Sequence, residues 1–380
     1  MRILYVLIFF VSVNTCLSQK NRCSTDEYRA QLGVFKTTET NHTIDLDIAN
    51  INEHTIPVVV HILYNDASQN ISDERVYSQI ESLNNDYNAL NSEINNIPDQ
   101  FIDEIGQVGF NFCLVQQDPN GNSFSGINRV YTDVESFQGF SDSMKKSNEG
   151  GVDPWDTETH LNIWVCNLSG NTLGFATMPG DVSDELDGVV IDYLYFGIDI
   201  SFISPYNLGR TATHEIGHYF NLEHTFYAGC SDWDECDDTP PTSSPTYGCP
   251  SYPQTSCMTN TMTMNFMDYT DDQCMAMFTQ CQAQRMRNCL LNNRSGLINN
   301  YSCTTSIEES YLSSNSFYPN PASNFLNIKE SHVFVEIFDV MGRKIIELKA
   351  NQRGQINISK LNCGTYFLKL QNKTKQFIKI

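Results

Sequence analysis

Apolar and polar residues alternate in distinct ways along this chain, and each change of pattern marks an element. The run Leu4–Val13 (LYVLIFFVSV) is continuously apolar; Arg2 precedes it and Cys16-Leu17-Ser18 follow. A positive start and an apolar stretch about half a bilayer long predict an export signal over residues 1–18, not a membrane anchor. Residues 19–50 are polar and lack sustained apolar periodicity. At Thr55–Tyr64 (TIPVVVHILY) an apolar, β-branched run predicts a buried strand. Ser72-Asp73 then offer a helix cap, and Val76, Ile80, Leu83, Tyr87 and Leu90 recur at spacings of four and three, which predicts an amphipathic helix. Strand-like runs follow at Val108–Gln116, Leu161–Cys166 and Val189–Tyr195. The order strand, helix, strand predicts an α/β or α+β sheet domain with helices packed on it.

After Cys303 the Ser-rich polar stretch Thr304–Ser316 reads as a linker. Short alternating runs lie beyond it, at Phe325–Ile328, Val333–Phe338, Lys344–Leu348, Gln355–Ile358, Tyr366–Leu370 and Gln376–Ile380, with Gly342, Gly354 and Gly364 between runs. That rhythm predicts a small β-sandwich of about 65 residues.

Export changes how the cysteines are read. Of 13, Cys16 lies in the leader, and Cys230, Cys236, Cys249, Cys257, Cys274 and Cys281 crowd together, followed by Cys289 and Cys303. In an oxidising compartment this predicts disulfides bracing a loop-rich region, since a zinc ribbon needs paired C-x-x-C spacing. The pairing of Cys113, Cys166, Cys236, Cys281, Cys289 and Cys303 stays open. The net charge of −22 argues against nucleic acid and anionic membranes as partners. The hydrophobic share of 40% suffices for a packed core, and nothing after residue 20 has the length and apolarity of a transmembrane anchor.

The chemistry concentrates in His214-Glu215-Ile216-Gly217-His218-Tyr219-Phe220-Asn221-Leu222-Glu223-His224. On a helix, residues i and i+4 share a face, so His214 and His218 can converge on one ion. His224 can join them only if the helix ends first, and Asn221 tolerates the left-handed conformation that such a turn requires. Three imidazoles suit zinc and leave a fourth position for water, which Glu215 can face as a base without binding the metal.

This pattern, H-E-x-x-H-x-x-(G/N)-x-x-H followed by Asn265-Phe266-Met267-Asp268-Tyr269, resembles the metzincin metallopeptidases. The stretches Gly209–Phe226 and Asn265–Thr279 resemble the pappalysin family, in its cytophagalysin and ulilysin branch, and the similarity runs from about residue 50 to about residue 300. Asn221 departs from it, because the family usually has Gly there. The resemblance implies a secreted zinc endopeptidase acting on proteins or peptides, with Met267 as a hydrophobic floor below the metal and Tyr269 as an oxyanion donor. It implies that Asp272 lines a pocket selecting Arg, or Lys, on the carboxyl side of the cut bond. Gly174, Phe175 and Ala176 match the edge strand that pairs with substrate. Disulfides Cys230–Cys257 and Cys249–Cys274 are implied, as is a structural calcium at Asp234, Asp237 and Thr239. Cys23 resembles the pro-segment cysteine that holds zinc in the latent form; an ordinary disulfide cysteine is the alternative. A non-catalytic adhesin or binding module on the same scaffold is the competing function.

The tail, from Phe317-Tyr318-Pro319-Asn320-Pro321 to Ile380, resembles the type A sorting domain of the type IX secretion system. That implies a Gram-negative bacterium, passage through the periplasm to outer-membrane secretion machinery, and a secreted or cell-surface product. The expected organisation is a signal peptide at 1–18, a pro-segment at 19–52, a catalytic domain at 53–303, a linker at 304–316 and a sorting sandwich at 317–380.

Overall fold

The computed structural model describes residues 22–34, 53–199, 201–202, 204–230 and 234–299, and in the tail 322, 324–327, 334–339, 343–349, 351, 355–370 and 373–379. The export signal, the rest of the pro-segment (19–21 and 35–52) and the linker at 304–316 lie outside the described residues. The chain divides into two compact units, Met1–Cys303 and Thr304–Ile380.

The first unit is built on a six-stranded sheet: β1 (His54–Tyr64), β2 (Phe110–Leu114), β3 (Ile127–Tyr131), β4 (Leu161–Cys166), β5 (Gly174–Ala176) and β6 (Val189–Asp192). Along one side of β1, β2 pairs with His54–Val58 and β3 with Val60–Tyr64; β4 pairs along the other side. β6 follows β4, and β5 ends the sheet. Every pairing is parallel except β5 with β6. A parallel strand covered on both faces needs apolar side chains throughout, and β1 is buried from Ile56 to Leu63.

Among the described residues, four α-helices accompany the sheet: α1 (Thr25–Leu32), α2 (Asp73–Tyr87), α3 (Arg210–Tyr219) and α4 (Gln280–Asn293). The Ser72 hydroxyl caps α2 by accepting from the Arg75 amide. The helix stops at Tyr87, short of Leu90, which is 71% exposed and outside the apolar face. Val76, Leu83 and Tyr87 pack into one core with Phe110, Phe112, Ile216 and Phe266. The Tyr87 hydroxyl also donates to the Thr213 carbonyl at 3.1 Å, which ties α2 to α3. Truncating such a buried aromatic costs about 3–5 kcal/mol.

Helix α1 lies in a stretch whose sequence shows no sustained apolar periodicity. Its stability comes from what it docks on: Tyr28 is fully buried against the opposite face of the sheet, with Trp164, Phe175 and Met144. Only Thr25 and Tyr28 of its residues are buried, so no apolar stripe marks it in the sequence.

Among its described residues the second unit holds two sheets. One pairs β7 (Phe325–Asn327) with β10 (Gln355–Asn357); the other is β9 (Lys344–Lys349), β8 (Phe334–Asp339), β11 (Gly364–Leu370) and β12 (Lys373–Lys379), in that order. Leu326, Val335, Ile337, Ile356, Leu368 and Phe377 form its core.

Candidate active site

Helix α3 is buried along its whole length. His214 and His218 lie one turn apart on it, and beyond Tyr219 the chain turns at Asn221, which takes φ +72°. The Asn221 amide donates to the His218 carbonyl at 2.8 Å and the Leu222 amide to the Gly217 carbonyl at 3.0 Å, which closes the helix and sends His224 back. Nε2 of His224 then lies 3.2 Å from that of His214 and 3.0 Å from that of His218. On the far side of each ring, Nδ1 meets an acceptor: the Phe266 carbonyl at 2.7 Å, the Leu222 carbonyl at 2.7 Å and the Asp26 carboxylate at 3.0 Å for His214, His218 and His224. Those acceptors place the proton on Nδ1, so three Nε2 lone pairs face one another. Burial holds His214 and His218 well below the ordinary imidazole range; at His224 burial also lowers, but Asp26, Glu215 and Glu223 together raise it on balance. Facing lone pairs repel without a cation between them, and neutral imidazole is the donor zinc takes. The residues fit the metal.

Met267 is fully buried against α3. A Cβ on Gly217 would meet its sulfur at 2.6 Å, so this methionine approaches the helix only because position 217 lacks a side chain.

The Cys23 thiol completes a group with the three imidazoles, all donor atoms lying within 4.8 Å of one another. Glu215 is fully buried. Its Oε2 accepts from the Cys23 thiol at 3.3 Å and the Thr25 hydroxyl at 3.0 Å, while Oε1 is buried without a partner among the described residues. Burial pushes its carboxyl up to about 8, against the opposing pull of these hydrogen bonds and of His224. The Tyr269 hydroxyl lies 3.2 Å from Nε2 of His224 and donates to the Cys23 carbonyl oxygen at 3.3 Å.

Asp272 stands at the N-terminus of α3. Its Oδ2 accepts from the amides of Leu208 at 2.9 Å and Arg210 at 3.2 Å, and its Oδ1 receives the Arg22 guanidinium at 2.8 Å. Both side chains are fully buried. Arg22 also donates to the Thr270 carbonyl at 2.8 Å and stacks over Tyr206 at 5.0 Å. The next residues run along the sheet edge: the Ser24 amide donates to the Gly174 carbonyl at 3.0 Å, and the Ala176 amide to the Thr25 hydroxyl at 3.0 Å. Phe175 turns its ring onto Tyr28 at 5.1 Å between centroids.

Disulfides join Cys230 to Cys257 and Cys249 to Cys274. In the loop between, the Thr239 hydroxyl donates to Oδ1 of Asp234 at 2.6 Å, whereas Asp237 is exposed and takes no part in that bond. Asp234 is buried, its Oδ2 has no partner among the described residues, and burial pushes its carboxyl up to about 7. An orphaned carboxylate oxygen among oxygen donors fits a hard cation such as calcium.

The sequence reading missed Arg22, Thr25 and Asp26. Their one sequence signal was adjacency to Cys23; their partners lie 151–250 residues away along the chain.

A family model described as pregnancy-associated plasma protein-A, a peptidase family, matches residues 145–291, and one described as a secretion system C-terminal sorting domain matches residues 316–380. An extracellular metalloprotease of Arthroderma otae is 31% identical over 243 residues, 61% of this chain and 76% of that one. The structure of Tannerella forsythia mature mirolysin in complex with a cleaved peptide is 43% identical, with a TM-score of 0.64 over 66% of this chain and 97% of that one. A promirolysin mutant of the same organism is 39% identical, with a TM-score of 0.64 over 73% of this chain and 91% of that one. Against the curated extracellular metalloproteases of Sordaria macrospora, Neurospora crassa and Coccidioides posadasii, the chain spans 60%, 51% and 51% of the relative's length.

Proposed function

The chain belongs to the pappalysin family of metallopeptidases, and from that premise we propose that it is a latent zinc endopeptidase that, once opened, cuts peptides on the amino side of Arg and, less well, of Lys. One observation carries this reading: Arg22 fills the Asp272 pocket while the neighbouring Cys23 reaches the three histidines. The precursor thus occupies its own cleft with an arginine and a metal-binding thiol.

The direction of that occupant explains why it is not cut. A substrate cleaved before Arg presents the bond on the amino side of that residue to the metal. In the precursor the residue on the carboxyl side of Arg22, Cys23, lies at the centre, and the chain continues onto Gly174 and Ala176 of β5. The segment therefore runs opposite to a productive substrate, and thiolate is a good zinc ligand.

His214, His218 and His224 would hold the zinc. When bound, zinc supplies a water of lowered pKa and a Lewis-acidic partner for the scissile carbonyl. Glu215 takes the proton of the attacking water and returns it to the leaving amine. Tyr269, already donating to a peptide carbonyl in the precursor, donates to the developing oxyanion, an interaction worth about 2.7–4 kcal/mol. Asp272 receives the guanidinium, and the α3 amides that hold it fix its direction. A charge-assisted bond of this kind is worth about 1.5–3 kcal/mol, and the planar fork of Arg suits it better than Lys. Once residues 22–25 leave it, the outer edge of β5 takes the substrate main chain.

The protein is secreted or displayed on the cell surface, and the match of its tail supports delivery by outer-membrane secretion machinery of a Gram-negative bacterium. Calcium at Asp234 and Thr239 would brace the loop before the second disulfide. The test is a peptide-library digest by the mature form, with and without a chelator. Chelator-sensitive cleavage before Arg is expected. Leu or Phe dominating that position would remove Asp272 from the pocket, and no cleavage would favour a non-catalytic scaffold.

A further inference from the structure

Two cysteines outside the zinc cluster lie against each other. Cys236, in the loop that carries Asp234 and Thr239, is buried, and Cys281, in the first turn of α4, is half-buried. Their sulfurs and a carboxylate oxygen of Asp238 lie within 4.8 Å of one another. Such a trio admits two chemistries, a metal site or a disulfide. Asp238 decides between them. Its Oδ1 accepts from the Thr279 hydroxyl at 2.6 Å and its Oδ2 from the Cys281 amide at 2.8 Å. Both oxygens are engaged at the start of α4, so the carboxylate serves the helix terminus. That leaves two thiols, and two thiols alone make a poor metal site but a complete disulfide.

We infer that Cys236 and Cys281 close a further disulfide in the exported protein, fastening the Asp234–Thr239 loop to α4. The chemistry balances by exchange with a disulfide donor. The half-buried Cys281, as thiolate, attacks one sulfur of the donor and releases the first donor thiolate. Cys236 then loses its proton and attacks the mixed disulfide, releasing the second. The two protein thiols lose two electrons and two protons, and the donor disulfide becomes a dithiol.

The bond lies where it reaches the zinc motif. One turn along α4 from Cys281, Arg285 pairs with Glu235 at 2.5 Å and donates to the Asn221 carbonyl at 2.9 Å. Loop, helix and the turn between His218 and His224 thus meet at one guanidinium. A covalent link from the loop to α4 one turn before Arg285 holds loop and helix in register, and the guanidinium carries that to the turn.

The experiment uses the exported full-length protein, alkylated under denaturing conditions without reductant, digested and weighed by mass spectrometry. The expected result is one linked peptide pair containing Cys236 and Cys281, two hydrogens lighter than the sum of its parts. Alkyl groups on both residues, or either one joined to a different cysteine, would overturn the inference. So would a second zinc per chain that the Cys236→Ser/Cys281→Ser double variant loses. That variant, once matured, should melt about 4–12 °C below wild type. An unchanged melting temperature would overturn the clamping role, and because the mass measurement is made on wild type it stands even if the variant does not fold. Failure here leaves the peptidase reading untouched, since neither cysteine belongs to the cleft.

Discussion

Glu215 and Asp272 are both fully buried carboxylates at the same helix, and residues 22–25 meet both, yet they are treated oppositely. Asp272, at the N-terminus of α3, has both oxygens answered, one by two backbone amides and one by a guanidinium. Glu215, within α3, has one oxygen answered by a thiol and a hydroxyl, the other by nothing, and its carboxyl is pushed up to about 8. A carboxylate whose charge is fully met holds the cation it already has; one left partly unmet is open to a further partner, a proton at Glu215. Burial alone therefore does not reveal an acid's task. The completeness of its partners does.

The comparison breaks first at Glu215. Glu215→Ala should lower turnover by about 10²–10⁴-fold while zinc content, read by elemental analysis, stays at one per chain. Loss of the metal would make Glu215 a ligand instead of a base. Asp272→Asn should lower kcat/KM on Arg substrates about tenfold or more and leave already poor substrates nearly unchanged, as measured by library profiles of both forms. An unaltered profile would place the selecting acid elsewhere.

The precursor offers a third cut. Arg22→Ala leaves Asp272 buried with its guanidinium gone, a loss worth about 3–5 kcal/mol when one partner of a buried pair is removed. The precursor of this variant should melt several degrees lower and convert faster, and Cys23→Ala should likewise speed conversion by freeing the histidines. Conversion time courses with wild-type kinetics for both variants would show that the segment does not restrain the enzyme.

The smallest effect tests whether the rule extends to Asp234, which has an orphan oxygen as Glu215 does. Its folded pKa of about 7 lies above the ordinary carboxylate value of 3.8, so the folded state keeps a proton that the unfolded state releases. Its contribution to stability is intact below about pH 4 and is lost as pH rises through 7. A cation on the orphan oxygen removes that loss. Calcium should therefore raise the melting temperature of the mature protein by a few degrees at pH 8 and by less at pH 5. Equal shifts at both pH values, or a calcium shift retained in Asp234→Asn, would remove Asp234 from the site.

How much of this could be read in the sequence depends on the distance over which each feature is decided. β1 announced itself because a strand buried on both faces is apolar throughout. α2 did so through its cap and stripe, overrun only at Leu90, where the chain leaves the helix. α1 did not, because two buried residues make no pattern. The histidine cluster was legible because helical periodicity fixes the reach from 214 to 218, and the left-handed turn at Asn221 returns His224 within six residues. The tail showed itself by its alternation and turn residues. Other pairings form only once the sheet is assembled. Arg22 finds Asp272 across 250 residues, Cys23 finds Glu215 across 192, and the Ala176 amide finds Thr25 across 151. Local spacing is set by backbone geometry that every residue obeys, and so it is written in the sequence. Meetings across hundreds of residues are set by how strands and helices stack, and only the packed structure decides them.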